Sequence, residues 1–276
     1  MFSLISPTRK KEILEIAGKV ENASAPEAAE NFFKIIENIR SDIPDKKRIS
    51  YGRYSIIKNI GEFIYPALLE KGVDIQNLSL KMFENPGHDP FVRSLGVQVL
   101  SIYAKEHKKL NEALEVFEKA ACDRQWEVRE CSAGFIRKLI KNYPDEMKEW
   151  YLKMVKSESP MKRRFASESL RPVADNKWLK NNPKFVFSII KHLYKEPQAY
   201  PRTSVGNSLS DWMRIDEKET LKIVKKLAES KNKNSYWIAY RACRNLVKKK
   251  PLLVMDLLNT DEYIYKDRKF YRGDYW

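Results

Sequence analysis

Four arginines, Arg93, Arg129, Arg164 and Arg202, recur at steps of 36, 35 and 38 residues, each inside a similar apolar frame. A further 38 residues reaches Tyr240, within Tyr236-Trp237-Ile238-Ala239-Tyr240-Arg241-Ala242-Cys243-Arg244. A guanidinium is always charged and presents a planar fork of donors, so a row of them on one face suits successive phosphates of a polyanion. Turned between helices, the same residues would be struts from one repeat to the next, and both readings stand on sequence alone. Residues 151–250 hold 24 Lys and Arg against 9 Asp and Glu, a surplus of +15 that equals the net charge of the whole chain. Such a stretch attracts polyanions, nucleic acid first among them. Its lysines, among them Lys225, Lys226, Lys231 and Lys233, also fit ordinary solvated helix faces.

The elements that would position these residues follow from the period. Units of this length, each readable as a helix pair, are the pattern of stacked α-helical repeats, so the expected fold is an all-α solenoid superhelix without a sheet. Breakers predict helices near 8–20, 26–40, 46–59, 61–71 and 74–84. They then predict pairs at 89–106 with 109–121, 125–142 with 144–156, 160–171 with 182–195, 200–213 with 217–229, and 234–249 with 251–258. Residues 1–88 read as a divergent helical cap continuous with the stack, and 89–258 as the repeats, with a basic concave face. Residues 259–276 form an aromatic and charged tail that either packs back on the last helix or stays free. The longest irregular link, Arg171-Pro172-Val173-Ala174-Asp175-Asn176-Lys177-Trp178, falls in the basic half, where a loop can reach a ligand in the groove.

Other classes are disfavoured. Nine glycines with no Gly-rich phosphate loop argue against a nucleotide-binding α/β fold. Cys122, Cys131 and Cys243 have no pairing logic, and with His88, His107 and His192 they give no metal-ligand spacing. Reduced, buried thiols are expected, with no metal and no cofactor. No window approaches a transmembrane length, so a cytosolic protein without membrane contact is expected, acting as a monomer.

The later units are more specific than generic repeats. Arg163-Arg164-Phe165-Ala166-Ser167-Glu168-Ser169-Leu170-Arg171-Pro172, then Tyr200-Pro201-Arg202-Thr203-Ser204-Val205-Gly206-Asn207-Ser208-Leu209-Ser210-Asp211, then Trp237 to Lys249 resemble the HEAT-like repeat DNA alkylation repair proteins, the AlkC branch more than AlkD. The resemblance spans roughly residues 89–258. It implies stacked HEAT-like helix pairs that cradle duplex DNA and, in active members, excise cationic N3- or N7-alkylpurines. Alkylation of a ring nitrogen already makes the base a good leaving group, so no general acid is needed. A carboxylate beside the sugar stabilises the oxocarbenium character that develops there.

Carried across, the glutamate of the family's Arg-Arg-x-x-Ser-Glu motif falls on Glu168, and the aspartate closing Asn-x-Leu-x-Asp falls on Asp211. The resemblance implies these as catalytic, with Arg129, Arg163, Arg164, Arg202, Arg241, Arg244, Trp126 and Trp178 as DNA contacts. In the basic half both carboxylates would stay ionised, held by arginines such as Arg164 and Arg202. As structural groups they would instead be ion-pair partners bridging adjacent repeats. Trp126 fits an aromatic contact or a core anchor. Two positions depart from the family pattern: Gln125 stands where an acidic residue precedes the aromatic, and Trp178 is displaced by about two positions from the tryptophan of Arg-Pro-x-x-Pro-Trp. A non-catalytic DNA-binding relative and a solenoid that meets an acidic protein are the competing functions.

Overall fold

Proline and short polar side chains set where the helices begin. Pro90, Pro144, Pro160, Pro183 and Pro251 each stand at a helix start, where the missing N–H has no partner to lose. Asp74, Asp89, Asp216 and Asn232 accept hydrogen bonds from N–H groups of the first turn. The computed structural model describes residues 4–20, 25–48, 51–85, 87, 89–172 and 176–275. His88 and the Val173-Ala174-Asp175 part of the irregular link lie outside the described residues. The chain divides into two compact units, residues 1–142 and 143–276.

The first unit contains α1 (Pro7–Val20), α2 (Ala25–Ser41), α3 (Asp45–Arg48), α4 (Arg53–Glu70), α5 (Ile75–Glu84), α6 (Pro90–His107), α7 (Leu110–Ala121), α8 (Trp126–Phe135) and α9 (Arg137–Ile140). Helix α6 packs on α4, α5, α7 and α8 and buries most of its side chains. One helix, α4, replaces the two expected on either side of residue 60. Gly61 lies buried within it, where the absence of a Cβ leaves room for the Gln98 side chain of α6.

The second unit contains α10 (Pro144–Lys156), α11 (Pro160–Ser169), α12 (Lys177–Asn181), α13 (Pro183–Ile190), α14 (Ala199–Trp212), α15 (Glu217–Ala228), α16 (Lys233–Ala242) and α17 (Pro251–Leu258). The arginine-bearing helices α11, α14 and α16 pack on one another in order, and α10, α13, α15 and α17 back them. A helix expected over 182–195 is α13 followed by a 3₁₀ turn at Lys191–Leu193. Helix α16 stops at Ala242 rather than near 249.

The tail corrects the expectation of a chain with no sheet. It forms an antiparallel hairpin, β1 (Glu262–Tyr265) and β2 (Arg268–Tyr271), with Tyr263 opposite Phe270. Tyr263 is fully buried, stacks on Tyr240 at 4.2 Å and donates a hydrogen bond to the Tyr240 carbonyl at 2.7 Å. The Tyr240 hydroxyl donates to the Ile264 carbonyl at 2.8 Å and accepts from the Ile264 N–H at 2.6 Å. The tail therefore packs back on α16.

Cys122 is exposed, a correction to the expectation of buried thiols. Cys131 and Cys243 are buried, and that burial pushes their thiols up to about 12. No helix among the described residues is long and apolar enough to cross a membrane, and no group of His, Cys, Asp or Glu among them could hold a metal ion.

Close approach of α14 and α16 depends on Gly206. A Cβ there would lie 2.6 Å from Arg241 Cγ and 2.7 Å from Arg241 Cβ, and Arg241 cannot retreat without moving its helix. Gly206→Ala is expected to destabilise the protein by about 1–3 kcal/mol through overpacking, outweighing the better helix propensity of alanine. A urea unfolding curve checks this, and a variant as stable as the parent would contradict the packing account.

Candidate nucleic-acid interface

The residue four places after each helix cap sets the true repeat register. It is Arg93 after Asp89, Arg129 after Gln125, Arg163 after Ser159 and Arg202 after Gln198. The period thus runs through Arg163, a correction to the sequence register that placed Arg164 in line. By the same rule the fifth copy is Tyr236, four after Asn232, rather than Tyr240.

The guanidinium of Arg93 donates to the Phe83 carbonyl at 2.9 Å and is ion-paired with Asp123. Arg163 makes the same kind of link, clasping Glu196 at 2.7 and 2.9 Å and two carbonyls, those of Ser157 and Glu158, at 2.8 Å. These two are struts between successive repeats. Arg129 donates to the carbonyls of Asp123 and Arg124. Arg202 follows the strut pattern with a neutral partner, donating to Asn234 Oδ1 at 2.6 Å while lying over the Trp237 ring at 4.9 Å. Arg241 and Arg244 both donate to Asn207 Oδ1, Arg241 at 2.9 Å. Among the described residues Arg202, Arg241 and Arg244 have no carboxylate partner and keep an uncompensated charge.

Arg164, one residue past the strut, lies over the Tyr200 ring at 5.1 Å and approaches Glu168 Oε2 at 3.5 Å. Glu168 is on the last turn of α11 and Asp211 on the last turn of α14, and both are buried. Arg171, just beyond α11, joins them. Its Nε donates to Asp211 Oδ2 at 2.8 Å and its Nη1 pairs with Glu168 Oε1. Ser204 Oγ donates to Glu168 Oε2 at 2.5 Å, and Arg214 Nη2 donates to Asp211 Oδ1 at 2.9 Å. Burial pushes the Glu168 carboxyl up, but the charges of Arg171 and Arg164 with the Ser204 and Arg171 hydrogen bonds outweigh it and hold it below the usual carboxylate range. The same carboxylates raise Arg171 against its own desolvation. The cluster therefore brings the Glu168 and Asp211 carboxyl groups together with three guanidiniums, every carboxyl oxygen accepting a hydrogen bond or ion pair.

Sequence reasoning named Glu168, Asp211 and Arg164 but not Arg171, Ser204 or Arg214, and it named Arg202 as a holder of the carboxylates, a place Arg171 takes. The available signal was Arg171 three residues after Glu168, a spacing that puts the two on one helix face. Trp126 opens α8 with 58% of its surface exposed, which removes the core-anchor reading. Trp178 on α12 packs edge-on against Phe185 at 5.2 Å. The basic charge is shared between layers: Lys184, Lys191, Lys218, Lys222 and Lys226 line a groove beside α13 and α15, away from the arginine helices.

Helix pairs stacked in this way, four of them with an arginine near the start of the first helix, make this an all-α HEAT-like repeat fold of the AlkC/AlkD kind. Two solved structures carry that likeness. AlkD2 from Streptococcus mutans matches with a TM-score of 0.56 at 20% identity, over 77% of this chain and 97% of that one. The Pseudomonas fluorescens alkylpurine DNA glycosylase AlkC, bound to DNA containing an abasic site analog, matches with a TM-score of 0.56 at 17% identity, over 95% of this chain and 70% of that one. The equal scores do not separate the AlkC branch from AlkD. No protein-family model and no curated protein matches the sequence.

Proposed function

We propose that this chain binds duplex DNA on the face of its arginine helices α11, α14 and α16 and serves in the repair of alkylated DNA. The observation that carries the reading is the pairing of Arg241 and Arg244 on the neutral Asn207, which orients two full positive charges without cancelling them. Arg202 adds a third. Contacts of this kind read the backbone rather than the base sequence. The AlkC structure of similar fold, itself bound to DNA, supports the same partner.

The test is duplex binding by fluorescence anisotropy across a salt series. Arg241→Gln with Arg244→Gln retains a donor for Asn207 and removes both charges. Binding should weaken about tenfold on any sequence, and the slope of log K against log salt should shrink by about 1.8, since each phosphate contact contributes about 0.9. An unchanged slope would remove these arginines from the interface.

A second reading, excision of cationic N3- or N7-alkylpurines, is favoured by one observation. Glu168 and Asp211, 43 positions apart in sequence, share a single arginine, and Glu168 is held ionised. A fixed negative charge at that place suits a sugar acquiring positive charge. A cationic base leaves without a proton donor, so neutral lesions fall outside the substrate class.

A further inference from the structure

The groove lined by α13, the turn after it and α15 has a volume of about 670 Å³ and involves none of the arginine helices. On one side Lys218, Lys222 and Lys226 stand at positions i, i+4 and i+8 of α15, a cationic row about 12 Å long at 1.5 Å per residue. Lys184 and Lys191 form the opposite rail. All five are exposed. Lys222 is paired with Glu219 at 3.0 Å, and the other four have no ion pair among the described residues. Asp216, the α15 cap, is the other acid on the lining. Between the rails the floor is apolar, formed by Phe187, Ile223 and Leu227. The Tyr194 hydroxyl at its edge is buried with no hydrogen-bond partner among the described residues.

We infer that this groove docks an acidic segment of a partner protein whose carboxylates meet the two lysine rails while its apolar side chains enter the floor between them. The charge balance selects an anionic ligand: five lysines face two acids. The floor selects against a nucleic-acid strand. Stacking of bases needs an open aromatic face, whereas Ile223 and Leu227 are aliphatic and the Phe187 ring is already engaged edge-on with Trp212 at 5.3 Å. Alternating acidic and apolar side chains fit both features, as when an amphipathic segment lies in a groove.

The experiment uses the full chain and three fluorescein-labelled probes. One is a peptide of aspartate pairs separated by single leucines, the second replaces leucine by serine, and the third is a single-stranded oligonucleotide. The leucine peptide should bind saturably near physiological salt, with the serine peptide at least about tenfold weaker, because the floor contributes as well as the rails. Lys222→Glu with Lys226→Glu, and separately Lys184→Glu with Lys191→Glu, should each weaken the leucine peptide about tenfold or more. Duplex binding that depends on Arg241 and Arg244 should persist in both. All four lysines are exposed, so the helical circular dichroism and melting of the variants should match the parent. Equal binding of the serine peptide, indifference to both charge reversals, or no saturable peptide binding would overturn the proposal. So would an oligonucleotide that binds more tightly than the peptide and is lost in the same variants.

Discussion

Arg171→Ala should cost the protein about 3 kcal/mol or more, because it removes the one guanidinium that spans two buried carboxylates and leaves Glu168 to Arg164 and Ser204, and Asp211 to Arg214. Arg171→Lys should recover only part of this, since an ammonium cannot reproduce the planar fork that spans Glu168 and Asp211. Adding Glu168→Gln and Asp211→Asn to the alanine variant should restore stability by removing the uncompensated charges. The pH dependence has a definite sign. In the parent Glu168 is depressed, so its stabilising contribution is present above the ordinary glutamate value of about 4.3 and lost as pH falls through the folded value. Without Arg171, only Arg164 and Ser204 are left to oppose burial at the same carboxyl, so less stability depends on its ionisation and acidification costs the variant less than the parent. Melting temperatures at pH 7 and near pH 4 should therefore show the gap narrowing. A gap that stays constant or widens in acid would mean that Glu168 is not the group Arg171 holds.

The same cluster marks the boundary of what the sequence discloses. Helix starts were legible because they are local: Pro144, Pro160 and Asp216 act on their own first turn. The arginine period was legible too, but by one residue it selected the wrong member of the Arg163-Arg164 doublet. Adjacent positions point about 100° apart on a helix, so Arg163 reaches Glu196 as a strut while Arg164 turns to Tyr200 and Glu168. Nothing in a spacing count separates them. Gly61 illustrates a second limit, since its meaning is a packing contact with Gln98, 37 residues away. The hairpin escaped because each strand has four residues and its turn, Lys266-Asp267, contains no glycine although Lys266 adopts positive φ. Its anchor, Tyr263 on Tyr240, is a tertiary contact.

Glu168 and Asp211 were legible only through resemblance, and their meeting on Arg171 leaves two roles that kinetics separates. On the excision reading, the protein should release N3- or N7-alkylpurines from alkylated duplex DNA and leave neutral lesions in place. Glu168→Gln and Asp211→Asn preserve shape and remove charge, so each should slow single-turnover release by about one hundred-fold or more while duplex affinity stays near that of the parent. An ion-pair brace would behave differently. Its loss would lower the melting temperature and reduce DNA binding through misplacement of α11 and α14, with no selective effect on the rate from a saturated complex. Measuring rate, affinity and melting on the same preparations distinguishes the two, because only a charge acting on the transition state lowers the first while sparing the second. Full excision by both variants would refute the carboxylate assignment. No release by the parent, in a preparation that binds DNA, would leave Glu168, Arg171 and Asp211 as the brace that their fully engaged oxygens already form.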